Sequence, residues 1–363
     1  MKKRLYVPLI LTIIVTCIYG IVMIYSASSV WAQYKFNNKY HYVIMQSLFF
    51  IVGIILMIII SKIDYKYYLK KSNLILLICF ILLVLVLIPG IGTVRNGSRS
   101  WFGIGGLGIQ PSEFMKLSLI IFTSKYIYNN PKSLRYVKSG VLPILMITFF
   151  AFFLIMLQPD FGTGTILVMT IIAMLFVSGC PLSFFIKIGM LGMVGVVFLI
   201  LMAPYRVNRI VAFLNPWSDP LGTGFQTIQS LFAIGPGGLF GLGFGNSIQK
   251  HFYLPEPQTD FIFSIISEEL GIIGIISVAF LFLVIILLSI KIAIKAPDSF
   301  SKFLVFGIIF QLSFQALLNL SVVVGLVPVT GVTLPFFSYG GSSLFISLIG
   351  MGIILNIAKS INN

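Results

Sequence analysis

Acid is what this sequence lacks. Nine Asp and Glu residues stand against 24 Lys and Arg in a chain of 363, and charged residues of either sign make up only 9% of it. A soluble domain carries roughly a quarter. That scarcity, with 58% hydrophobic residues and a mean hydropathy of +1.08, excludes an ordinary water-soluble domain and marks a multi-span membrane protein. Cysteine is scarce too. Cys17, Cys79 and Cys180 lie in or beside apolar stretches without metal-type spacing, which argues against a zinc module or a disulfide framework and leaves them as packing residues. The polar–apolar alternation of lipid-facing barrel strands is also missing, so the spans are helices.

What is present is a series of long apolar runs. At about 20 residues per crossing they predict an all-α integral membrane protein of about ten transmembrane helices, near 5–28, 42–61, 73–90, 110–128, 141–158, 162–179, 184–203, 260–290, 303–324 and 337–358. The chain is read as a single polytopic domain over 1–363. The seventh span is Gly- and Met-rich and runs into Pro204, where a helix must break or kink. The basic start followed by an apolar stretch is read as a retained first helix, since it is too long for a signal peptide and no small-residue cleavage site follows. Most Lys and Arg fall at the two ends and in the loops after spans 2, 4, 6 and 8, which predicts that both termini are cytoplasmic. The net charge of +15 is therefore a topology signal. Nucleic-acid binding is not indicated, because the cations are spread over short loops rather than gathered on one face.

Five of the nine acids, Glu113, Asp160, Asp260, Glu268 and Glu269, fall in or at the ends of apolar segments. Ionised groups near hydrocarbon cost a few kcal/mol or more, so they face a polar cavity, pair with cations or do chemistry. Gln110-Pro-Ser-Glu-Phe-Met-Lys116 opens the fourth span. Proline and an acid suit a helix start, but Lys116 lies one turn deeper on the face of Glu113, which predicts an ion pair facing a cavity. Arg95 and Arg99, just before, would sit over its mouth. In Gln158-Pro-Asp-Phe-Gly-Thr-Gly164, Asp160 either caps the next helix or lines the same cavity.

One connection is long. A large outer loop of about 204–260 should carry function, because structureless loops beyond roughly 12–15 residues usually do. It opens with Arg206 and Arg209 on one helical face, and is expected to place Trp217, Phe225 and Phe232 at headgroup level. Its Gly241-Leu-Gly-Phe-Gly245 run serves tight turning, since no βαβ unit surrounds it to make a nucleotide site. The loop ends in Leu254-Pro-Glu-Pro-Gln-Thr-Asp260-Phe-Ile-Phe. Asp260 either caps the eighth span or is a polar group facing outward near Glu256, His251 and Lys250. Glu268 and Glu269 lie about 12 Å deeper along the helix and suit helix–helix hydrogen bonding or a partner contact.

These segments, together with Pro328-Val-Thr-Gly-Val-Thr-Leu-Pro-Phe-Phe-Ser-Tyr-Gly-Gly-Ser-Ser343 and the preceding Asn319 and Gly325, resemble the SEDS family (shape, elongation, division and sporulation). The likeness runs from the first span to the last, and is greater to the division and sporulation branches, FtsW and SpoVE, than to the elongation branch, RodA. What the resemblance implies is a peptidoglycan glycosyltransferase that polymerises lipid II at the outer face of the bacterial cytoplasmic membrane, in a division or sporulation complex with a class B penicillin-binding protein. The family's essential aspartate falls on Asp260, as base toward the acceptor 4-hydroxyl. Arg99, Lys116, Arg206, Arg209 and Lys250 are cations for the departing diphosphate, with Glu113, Asp160 and Glu256 lining the substrate path. Attack on an α-linked donor would give a β-1,4 link by inversion. A divalent cation, Mg or Mn, is compatible with the diphosphate, although no dense carboxylate cluster prepares a site for one. The small residues of Ser338–Ser343 would either allow close helix packing or wall the lipid-diphosphate path. Two rival readings are a lipid II flippase centred on Glu113 and Lys116, and a non-catalytic scaffold for the transpeptidase.

Overall fold

The computed structural model describes residues 2–95, 97–103, 108–202, 207, 211 and 213–361, with the side chains of 2–4, 135, 191, 196 and 199–201 outside the description. Long apolar runs give the helices α1 (Lys2–Phe36), which contains Pro8, α2 (His41–Ile60), α3 (Lys66–Leu85), α4 (Pro111–Asn129), α5 (Leu142–Met156), α6 (Phe161–Val177) and α7 (Leu182–Leu201). A short α8 (Phe225–Ile234) lies in the large loop, and α9 (Ile262–Ile294), α10 (Ser299–Val323) and α11 (Gly341–Ser360) complete the order. A two-stranded antiparallel hairpin, β1 (Thr93–Arg95) and β2 (Ser98–Trp101), precedes α4.

Seven helical segments are long and apolar enough to cross a membrane. Exposed apolar side chains such as Leu11, Ile55, Phe153 and Ile276 cover their outer surfaces, as lipid-facing surfaces require. This is a multi-pass membrane protein. The other three expected spans, α4, α6 and α7, are helices in the expected places that fall short of the same measure. In α6 and α7 the apolar stretch is shorter. In α4 the cause is polarity: it carries Glu113, Lys116 and several serines, all buried among neighbouring helices. Polar residues of a spanning helix turn to the bundle interior, where partners replace water.

The core is organised around α10, which packs on α4, α6, α9 and α11, while α2 lies along α11 and α3 along α4. The bundle has two distinct ends. Gln46 of α2 meets Gly340 and Ser338 at the start of α11, whereas Ser61, after α2, meets Asn356 near the end of α11. Both helices therefore run the same way. The 20 residues of α11 separate the faces by about 30 Å. One face holds Asp260 and the α10–α11 loop; the other holds the chain ends, as the contact of Lys359 with the Tyr6 ring shows.

The boundaries differ from expectation in two informative places. At 35 residues α1 is about 50 Å long, more than a bilayer core needs. Its extra turns leave the bundle to receive the large loop: Trp31 and Tyr34 pack edge-on against Phe252. And α9 is broken at Gly271, whose φ of 60° and ψ of −150° only glycine adopts readily.

Candidate active site

Two amides on α10 organise the Asp260 face. Gln315 and Asn319 are one turn apart, on one side of the helix, and both are buried. The Asn319 Nδ2 donates to the backbone carbonyls of Asp260 and Val332, each at 2.7 Å. The Gln315 Nε2 donates to the Thr333 carbonyl at 3.1 Å, and its Oε1 accepts from Lys116 Nζ at 2.9 Å. Side-chain amides do what the loop cannot do alone, which is to pair its buried backbone carbonyls. The loop between α10 and α11 is thereby fastened to the start of α9 at one point and to α4 at the next.

On α4, Lys116 Nζ lies 2.9 Å from Glu113 Oε1, with both side chains almost wholly buried. The expected intramembrane ion pair is present. It does not stand open: its ammonium is shared between Glu113 and Gln315, so the pair acts on the face above through Gln315 and Thr333. Ser343 closes this network by bonding the Thr333 hydroxyl at 3.1 Å. Ser342 accepts from the Gln110 N–H at 3.0 Å and donates to the Gly108 carbonyl. The serines that open α11 are thus tied by hydrogen bonds as well as packed closely.

Asp160 is a helix cap with a second bond. One carboxylate oxygen accepts from the Thr163 N–H at 3.1 Å and caps α6, and the other accepts from Gln110 Nε2 at 2.8 Å. Burial raises its carboxyl above the ordinary range, opposed by the bonds from Thr163 and by Lys116, whereas Glu113 adds to the rise. Next to it the hairpin is anchored by Ser98, whose hydroxyl donates to the Gln158 carbonyl. Arg99, next in the strand, is half-buried, with its side chain beside Gly92. Arg95 stacks on Trp101, 5.2 Å from the ring centre, and its charge partly opposes the rise that burial imposes on the Tyr339 phenol.

Asp260 is half-buried and stands just before α9. The helix begins at Ile262 with Phe261 in the capping position and no side-chain cap, so the capping alternative fails. Its carboxylate lies against Gly331: a side-chain carbon at that glycine, which has φ of 74°, would come within 3.7 Å of Oδ2. On the other flank of Gly331, Thr330 and Val332 press on Gly162, where a side-chain carbon would meet the Thr330 carbonyl at 2.8 Å. Thr330–Val332 is therefore a partition one loop wide between Asp260 and the helix start that Asp160 caps. Four sequence motifs distant in the chain meet here.

The other expected residues part company. Lys250 is a correction. Its ammonium is 3.1 Å from Glu269 Oε1, also donates to the Gly245 carbonyl and to Ser26, and the residue is 3% exposed, so it is not open to a diphosphate. Glu256 is exposed with φ of 42°, and its carbonyl accepts from the Thr259 N–H and hydroxyl. Arg206 and Arg209 lie outside the described residues. Among the described residues no three His, Cys, Asp or Glu converge as a metal-ligand group. Gln315 was overlooked in the sequence, although a glutamine four residues before an asparagine within an apolar helix signals a polar face.

The same geometry can be compared with known proteins. Residues 7–363 match the FtsW/RodA/SpoVE family model, described as cell cycle protein. The chain belongs to this family. Stage V sporulation protein E of Bacillus subtilis (strain 168) is 52% identical over 355 residues, with 97% of each chain covered. The probable peptidoglycan glycosyltransferase FtsW of Geobacter sp. (strain M18) is 41% identical over 352 residues, covering 97% of this SEDS chain and 96% of that one. Among solved structures, a chain from a study of the structural coordination of polymerization and crosslinking by a peptidoglycan synthase complex aligns with a TM-score of 0.80 at 29% identity, 97% of both chains being covered. The rod shape determining protein RodA of Thermus thermophilus aligns with a TM-score of 0.72 at 26% identity, covering 98% and 97%. The SEDS fold therefore extends over the whole described bundle.

Proposed function

We propose that this chain is a peptidoglycan glycosyltransferase that polymerises lipid II into β-1,4-linked glycan at the outer face of the bacterial cytoplasmic membrane, with Asp260 as general base. The observation that carries the reading is the meeting of Asp260, Gly331 and the Asp160-capped helix at one end of the bundle. A half-buried carboxylate whose backbone is held by Asn319 is pre-positioned to take a proton from the acceptor 4-hydroxyl as that oxygen attacks the donor sugar. The bond from the anomeric carbon to the diphosphate breaks as the new glycosidic bond forms, and Arg99 on the hairpin supplies positive charge toward the departing group. Lys116, with Glu113, positions this machinery through Gln315 rather than meeting the lipid. Basic residues dominate the opposite face, which supports the cytoplasmic assignment of both termini. The names of the relatives support the reaction, and the similarity to a chain of a peptidoglycan synthase complex supports a crosslinking partner, a class B penicillin-binding protein, in division or sporulation.

The test is lipid II polymerisation by the purified chain with its partner. Glycan strands should persist when the partner's transpeptidase serine is removed and should vanish with Asp260→Asn. Unchanged strands from the Asp260→Asn protein would falsify the assignment. Lipid movement that depends on Lys116 while strands do not form would favour a flippase.

A further inference from the structure

The face that carries the chain ends holds a cleft of about 650 Å³ lined by Lys62, Lys66 and Lys359 with Tyr65, Asn356 and Asp64. The three lysines come from two distant stretches of chain, the α2–α3 connection and the end of α11. A preference for cations on one side of a membrane explains lysines in a loop; it does not explain their convergence on one cavity.

The floor of the cleft is built and fixed. Asn356 accepts from the Tyr65 N–H at 3.0 Å and donates to the Ser61 carbonyl at 3.1 Å. The Tyr65 hydroxyl donates to Asp298 at 2.6 Å. Lys359 is held over the end of α2, 3.2 Å from the Ser61 carbonyl and 4.7 Å from the Tyr6 ring centre. Asp64 is turned to the backbone, accepting from the Lys66 N–H at 2.9 Å. Lys62 and Lys66, by contrast, are exposed. Lys66 opens α3, whose first turn contains no acid, and Lys70 follows at i+4. A cation in the first turn opposes the helix dipole and like charges four apart repel, which the Asp64 carboxylate on the Lys66 N–H offsets only in part. An anion in the cleft reverses the sign of both effects.

The surroundings select the kind of anion. The cleft opens where α2 ends and α3 begins, the depth of lipid headgroups. At the same helix ends, Ile58 and Ile59 in the last turn of α2 and Tyr67 in the first turn of α3 are about half exposed and offer an apolar wall. A soluble phosphate has no use for that wall, whereas a phospholipid has a phosphate for the cations and an acyl chain for the apolar side.

We propose that this cleft is a binding site for the headgroup of an anionic phospholipid, with Lys62, Lys66 and Lys359 on its phosphate and Ile58, Ile59 and Tyr67 along its chain. The full-length protein in detergent is titrated with phosphatidylglycerol, phosphatidylcholine or inorganic phosphate, and bound lipid is counted by native mass spectrometry beside melting curves. Phosphatidylglycerol should be retained and raise the melting temperature. Removing each lysine should weaken binding about fivefold, so Lys62→Gln with Lys66→Gln weakens it on the order of 30-fold. The lipid-free melting curve of each variant verifies its folding, the single variants serve if the double one is unstable, and Lys125→Gln elsewhere on the same face should bind as the parent does. Undiminished retention in the lysine variants, equal retention of phosphatidylcholine, or the same stabilisation by inorganic phosphate would each overturn the proposal.

Discussion

A pair of acids in the first turns of α9 and a single acid just before it are built on opposite principles. Glu268 and Glu269 are almost completely buried and fully engaged. Glu268 accepts from the Ser247 hydroxyl at 2.5 Å and the Ile248 N–H at 2.9 Å; Glu269 accepts from Ser26 at 2.6 Å, the Ser247 N–H at 3.2 Å and Lys250 at 3.1 Å. The break at Gly271 completes this clasp. Carbonyls of Glu268 and Glu269 accept from Leu242 and Gly243, and the N–H groups of Ile272 and Ile273 donate to Gly238 and Leu239, so the glycine-rich loop takes the place of a helical turn. Asp260, eight residues before Glu268, has its backbone held by Asn319 while its half-buried carboxylate faces Gly331. A buried acid surrounded by donors is spent on architecture. Asp260 instead has its backbone held at a part-open position, and the clasp fixes the loop that leads to it.

That contrast can be broken from either side. The largest effect is expected from Asp260→Asn, which should reduce lipid II polymerisation by about 10²–10⁴-fold, the usual worth of a general base, with an unchanged melting temperature in detergent. Lys250→Met should do the reverse. Leaving Glu269 buried without its cation costs about 3–5 kcal/mol, read as a fall in melting temperature, and adding Glu269→Gln should recover part of it in a double-mutant cycle. Gly271→Ala should cost at least about 1–3 kcal/mol through its backbone conformation, since its side-chain carbon would also meet the Gly241 nitrogen at 2.5 Å. Asn319→Leu sharpens the comparison by loosening the Asp260 backbone. About 1–3 kcal/mol for each carbonyl left unpaired should appear in stability, together with a lower turnover; in the Asp260→Asn protein, adding Asn319→Leu should not lower turnover further. The smallest change is Ser26→Ala, about 1–2 kcal/mol by thermal melting, because Glu269 keeps Lys250 and the Ser247 N–H.

Much of this was readable in advance. The helices stand where apolar runs placed them, since chain length and hydropathy alone decide whether a segment can satisfy its backbone in lipid. The Glu113–Lys116 pair followed from i, i+3 spacing, the capping by Asp160 from its place before Phe161, and the turning role of Gly241–Gly245 from the lack of a strand before it. Nearness in sequence to Asp260 does not bring Lys250 to the substrate face, because Glu269 and Ser26 claim it from other helices. The capping reading of Asp260 was equally consistent with the sequence. It fails because the helix starts two residues later, which depends on where the large loop is clasped.

By itself, then, the order of residues determined which segments are helical, which face carries the cations and which acids cannot remain in hydrocarbon without partners, because these depend on local pattern and on transfer into lipid. Tertiary structure alone decided how each acid is partnered. The cation of Lys250, the amides of Gln315 and Asn319 and the partition Thr330–Val332 reach the acids from remote parts of the chain, and a charge in a medium of low dielectric takes its role from the groups within a few ångströms of it.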